Sequence, residues 1–179
     1  MEFEGISPAI IPFYDFPDVW QNLAYLAGFL KFFLAFIVII SICNEYSYRT
    51  IRQNIIDGLS PSQFLLSKQL MILSFSFINV LILWLAGTIM GISNATMFEG
   101  QLYIMGMEFL FAHFIELVTF LNLAMLLSIL MKKAGFAIIL LCFYGIFVEP
   151  IAVAILGYFT EESWLLNLFP IEAVNNLVA

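Results

Sequence analysis

The chain has 179 residues, of which 63% are apolar or aromatic and only 11% are charged. Soluble domains run nearer 45–50% apolar and about 25% charged, so a water-soluble fold of this length could not hide so much apolar surface; the mean hydropathy of +1.04 agrees. With 6 Lys and Arg against 13 Asp and Glu there is no basic face for nucleic acid, and the composition equally excludes a secreted disulfide scaffold and a disordered chain.

Residues 1–22 read as an extracellular loop rather than a signal peptide. They hold Gly5, Pro8, Pro12, Pro17 and several aromatics, with no basic n-region and no apolar h-region. Four apolar runs follow: Leu23–Cys43, Met71–Ile92, Phe109–Met131 and Ala134–Phe159, each 21–26 residues long. About 20 helical residues cross a hydrocarbon layer of roughly 30 Å, and a membrane barrel would show alternating segments of about 10 residues instead. The predicted fold class is therefore an all-α membrane protein with four transmembrane helices in one domain over 1–179.

Basic residues set the orientation. Arg49, Arg52 and Lys68 lie between the first two runs, and Lys132 and Lys133 between the last two. The remaining connections and both ends are acidic, with Glu99 and Glu108 in one loop and Glu161, Glu162 and Glu172 in the tail. The 44–68 segment and the 132–133 turn thus face the cytoplasm and both termini face outward. An outward N-terminus without a leader is accounted for if one span precedes Met1 and another follows Ala179; a complete four-span protein is the alternative.

The 44–68 segment is the one sizeable polar stretch. Tyr48, Ile51, Ile55 and Leu59 recur at helical spacing. Gly58 suits a helix C-terminal cap, because glycine accepts positive φ cheaply. Ser60, Pro61 and Gln63 form an S-x-x-Q capping box with proline at the first helical position. The segment is predicted to be a short amphipathic helix over 45–58, a tight break, and then the next membrane helix. Such a helix either rests on the lipid headgroups or docks a cytoplasmic partner.

Asn44-Glu45, Tyr48-Arg49-Thr50-Ile51-Arg52-Gln53, Asp57-Gly58-Leu59-Ser60, and Phe64 with Lys68 at the mouth of the next run carry a resemblance. Together with Pro17-Asp18-Val19-Trp20 and the Glu149-Pro150 step, they resemble the permease subunits of ABC-2-type transporters, closest to those of the Bacteroidetes kind. One departure is Pro61, where members often carry a basic residue. The resemblance implies that the four runs are spans 2–5 of a six-helix permease in a bacterial cytoplasmic membrane. It implies that Glu45, Arg49, Thr50, Arg52, Asp57 and Gly58 belong to a coupling helix docked on an ABC ATPase subunit. It also implies a dimer with a second permease copy or paralogue, export as the direction, and ATP and Mg held by the partner ATPase. Residues 160–179, with Trp164, Phe169 and Pro170, would be an extracellular re-entrant segment.

Ionisable groups inside spans are functional candidates. At about 1.5 Å per residue from the outer ends, Lys31 lies roughly 12 Å deep, Glu116 roughly 10 Å and Glu149 about 12–15 Å. His113 is placed nearer the surface. Lys31 is expected to pair with Glu116 or Glu149; the layer then either fixes packing or lines a substrate path. An intramembrane enzyme built on Glu116, His113 and Glu149 would need these groups within hydrogen-bond reach of one another. Gly87 and Gly91 form a GxxxG that permits close helix approach. Cys43 and Cys142 read as small apolar fillers. No HExxH, CxxC or GxxxxGK[ST] is present, so the chain is not expected to be an enzyme or to hold a cofactor; its expected partners are the ATPase, the second permease and membrane lipids, with no nucleic acid. The competing reading is a membrane scaffold that docks a cytoplasmic protein and transports nothing.

Overall fold

The computed structural model describes residues 18–94, 104, 107–148, 151 and 154–155. The expected extracellular loop over 1–17, the 160–179 segment and Glu149 lie outside the described residues. Every element among them is helical: α1 Asp18–Gly28, α2 Leu30–Ser47, α3 Thr50–Ile56, α4 Pro61–Asn94, α5 Met107–Met131 and α6 Ala134–Phe143, the last continuing as a π-helical turn Tyr144–Val148. Three of them (α2, α4 and α5) are long and apolar enough to cross a membrane.

The fourth run, Ala134–Phe159, is described as a shorter apolar helix, Ala134–Val148. The Glu149–Pro150 step that follows it lies outside the described residues.

The first run differs from its expected continuous span. The helical ladder is interrupted at Phe29, whose N–H reaches only three residues back to the Leu26 carbonyl (3.3 Å). The preceding Gly28 lowers helix propensity at this point, and α1 packs on α4 and α5 as well as on α2. Trp20 of α1 is fully buried. It lies so close to Gly87 of α4 that a Cβ there would sit 2.5 and 2.8 Å from its ring carbons. The glycine gives the indole the room it needs.

The most extensive pairing is between α2 and α5. Ala35, Val38, Ile39, Ile42 and Cys43 repeat every three to four residues along α2 and meet Phe120, Leu121 and Ala124 of α5, Ile72 of α4, and Ala137 and Leu141 of α6. Between apolar helices in lipid, small residues at the contact permit close van der Waals approach, and Ala35, Ala124 and Ala137 are all fully buried. Residues on the opposite faces, such as Phe33, Ile37, Leu66, Leu70, Ile82, Leu130 and Ile139, are exposed and apolar, as lipid-facing surfaces require. Cys43 and Cys142 are free thiols; Cys43 sits within this packed seam.

Both basic loops meet at one end of the bundle, where Lys132 lies 5.8 Å from the Tyr46 ring centroid. The loop reading of charge therefore agrees with the topology: the 48–60 and 132–133 connections share a side.

Candidate functional site

Two groups of polar residues stand out against the apolar bundle. The first is inside it. Lys31 of α2 donates through Nζ to Glu116 Oε1 of α5. His113 lies three residues before Glu116, hence on the same helical face, and its Nδ1 is 2.9 Å from Glu116 Oε2. The second imidazole nitrogen, Nε2, is 3.1 Å from Asn79 Oδ1 of α4. Glu116 and His113 together thus tie three helices. Lys31 and Glu116 are 6% and 7% exposed and His113 is fully buried.

The chemistry of this cluster is constrained by donors and acceptors. An ionised carboxylate only accepts, so His113 donates through Nδ1–H. With Asn79 as oriented, Nε2–H donates to its carbonyl and the ring carries both protons. Turning the amide over lets its NH₂ donate to a bare Nε2, and the ring is then neutral; the two amide orientations are equivalent in shape. The site therefore accommodates either protonation state of His113 with its hydrogen bonds intact. Lys31 also lies 5.4 Å from the Phe120 ring centroid, within cation–π range. Ser76, one turn before Asn79, is fully buried, and its hydroxyl finds no hydrogen-bond partner among the described residues.

Among the expected layer, then, Lys31, His113 and Glu116 come together, and Glu149 lies outside the described residues. Asn79 was missed because an uncharged amide in an apolar run carries no charge signal. Ser76 and Asn79 at i, i+3 on an otherwise apolar helix were the available sign of a polar stripe.

The second group is the 44–68 segment. It is not one helix over 45–58. α2 runs through Glu45 to Ser47, and the chain then turns at Arg49, which adopts a left-handed conformation (φ 58°). Glu45 therefore ends a membrane helix, whereas Thr50 and Arg52 lie on the separate seven-residue α3. The Thr50 hydroxyl donates to the Glu45 carbonyl (3.2 Å) across the break, and the Glu45 side chain accepts from Lys68 of α4.

The other end of α3 follows the expected punctuation. Gly58 has φ +100°. The Leu59 N–H bonds the Asn54 carbonyl (2.9 Å) and the Gly58 N–H bonds the Ile55 carbonyl (3.1 Å), the paired bonds of a Schellman motif. Ser60 Oγ then accepts from the Gln63 N–H (3.3 Å), and Gln63 Oε1 from the Ser60 N–H (2.9 Å), a reciprocal capping box. Between these two devices only a few residues separate α3 from α4. No residue of α3 is buried; Ile56 is 84% exposed, and Tyr48, before the turn, 76%.

The family described as Protein of unknown function (DUF2705) matches residues 9–175. No curated protein and no solved structure matches the chain significantly.

Proposed function

We propose a transport function for this chain, which belongs to the DUF2705 family: it is the membrane-spanning permease subunit of an ATP-driven exporter of the ABC-2 type, with the ATPase on a separate chain. The observation that carries the reading is α3. A short helix without a single buried residue is capped by its own backbone and side-chain hydrogen bonds into the start of α4. It is joined to α2 through the Thr50–Glu45 bond and to α4 through the short Gly58 turn, and the Glu45–Lys68 pair ties α2 to α4 beside it. Such an element has no role in the packed seam, yet a force on it passes directly into two membrane-length helices.

In this reading Arg49, Arg52, Asp57 and the exposed Ile55 and Ile56 meet the ATPase, and Gly58 supplies the turn that separates α3 from α4. Closure of two ATPases around ATP and Mg moves α3, and α2 and α4 follow. The Lys31–Glu116–His113–Asn79 cluster holds α2, α4 and α5 together so that they move as one body. The chain itself supplies no catalytic group. A second permease, the same or a paralogue, completes the transporter in the bacterial cytoplasmic membrane.

The test is co-purification of the full-length gene product with its neighbouring ATPase, beside Arg52→Glu. Arg52 is exposed, so the substitution leaves the bundle intact. Capture of the ATPase by the wild type and its loss with Arg52→Glu is the expected result. Capture of a non-ATPase cytoplasmic protein instead would favour a scaffold that transports nothing. Equal capture of the ATPase by both would remove α3 from the coupling.

A further inference from the structure

The end of the bundle where the basic loops meet contains an open pocket of about 400 Å³. Arg49, Arg52 and Lys132 line it, with Tyr46, Ser47 and Glu45. Three cations around one cavity repel one another unless something negative lies between them. Among the described residues no carboxylate is within ion-pairing distance of any of the three, and the Glu45 carboxylate is already held by Lys68. The Ser47 hydroxyl is likewise engaged, donating to the Cys43 carbonyl (3.0 Å). The pocket lies between the end of α2, the start of α3 and the α5–α6 turn, and the apolar Ile51 side chain also lines it. Basic pockets between membrane helices at this level suit anionic lipid headgroups, and Arg matches phosphate oxygens with a planar fork of donors.

We propose that this pocket is a binding site for the phosphodiester of an anionic glycerophospholipid, held by Arg49, Arg52 and Lys132. The lipid fills the space between α3, the end of α2 and the α5–α6 turn. Arg49 and Arg52 are also the cations offered to the ATPase in the proposed function, so lipid and ATPase compete for them. A free phosphate offers the same charge but nothing for the apolar Ile51 side chain; a lipid answers both. The proposal does not depend on transport, and its test contains no ATPase.

The full chain is purified into micelles containing equal amounts of phosphatidylglycerol and phosphatidylcholine, and the retained lipid is read by native mass spectrometry. The wild type is expected to retain phosphatidylglycerol preferentially. Lys132→Gln and Arg52→Gln should each reduce that preference by roughly fivefold, the worth of one cation near an anionic headgroup. Both residues are exposed, so folding is not at stake. Lys133→Gln, next in sequence but outside the pocket lining, should leave the preference unchanged. An equal fall with Lys133→Gln would mean diffuse surface charge and overturn the site. Loss of phosphatidylglycerol to competing inorganic phosphate would make soluble phosphate the ligand and overturn the lipid assignment, whereas retention supports it. Absence of any preference in the wild type would overturn the proposal and leave the pocket to an acidic protein surface.

Discussion

Removing Glu116 should damage the bundle far more than removing Lys31, and removing both should cost less than the two losses added together. The Glu116 carboxylate serves two buried partners, Lys31 on one oxygen and His113 on the other. Glu116→Leu leaves an ammonium and an imidazole N–H buried and unpaired; breaking a buried pair in this way costs about 3–5 kcal/mol. Lys31→Met leaves the carboxylate its imidazole partner, and the loss should be nearer that of one charged hydrogen bond, about 1.5–3 kcal/mol. The double variant removes both charges, and what remains is mainly the unsatisfied imidazole donor, about 1–3 kcal/mol. The cycle should therefore show a coupling of at least about 1.5 kcal/mol, beyond the roughly 0.6 kcal/mol average of neutral interhelical hydrogen bonds in membranes. Reversible unfolding of the purified chain in mixed micelles, driven by a denaturing detergent, reads all three variants. Losses that add within about 0.5 kcal/mol, the range found for independent sites, would refute the claim that the pair holds the helices together.

At the α1–α4 contact, Gly87→Ala gains about 1 kcal/mol in helix propensity but forces a methyl into the Trp20 ring. Overpacking of this kind costs about 1–3 kcal/mol, so a net loss is expected in the same unfolding assay, relieved by adding Trp20→Leu; an unchanged midpoint would mean that the indole moves aside freely. Gly58→Ala meets no atom within 4 Å, yet it must hold φ near +100°. The expected cost is about 1–2 kcal/mol from backbone conformation alone, seen as faster hydrogen exchange at the Leu59 amide. Gly135→Ala, equally unobstructed but without a positive φ, should be neutral or stabilising.

The features legible in the sequence were those set by a few neighbouring residues. The Ser60–Gln63 box and the Gly58 cap depend only on local side chains and φ, and both could be read from spacing. The turn at Arg49 could not, because a long charged residue in the left-handed region carries none of the Gly, Asn or Asp signals that usually mark it. It is held there by the structure around it, including the Thr50–Glu45 bond. Inside the apolar runs, position along the helix was legible but azimuth was not. Lys31 had two candidate partners at similar depth, and only the packing of α2 on α5 selects Glu116. The His113–Glu116 contact, by contrast, follows from their i, i+3 spacing on one helix. The break at Phe29 lies inside an unbroken apolar run, where composition continues and only Gly28 hints that the hydrogen-bond ladder does not.

α4 has 34 residues, so as a straight rod it measures about 50 Å, well beyond a hydrocarbon layer of roughly 30 Å. Asn79, where the buried cluster grips it, stands about 27 Å from the Pro61 end and about 22 Å from the other. The rod is thus a lever with its fulcrum near the middle. A sideways shift of 3 Å, taken as an illustration, at the end beside α3 would swing the opposite end by about 2.5 Å in the reverse direction. Because the cluster ties α4 to α2 and α5 at that point, the three helices would tilt together, with no side chain in the fulcrum having to let go.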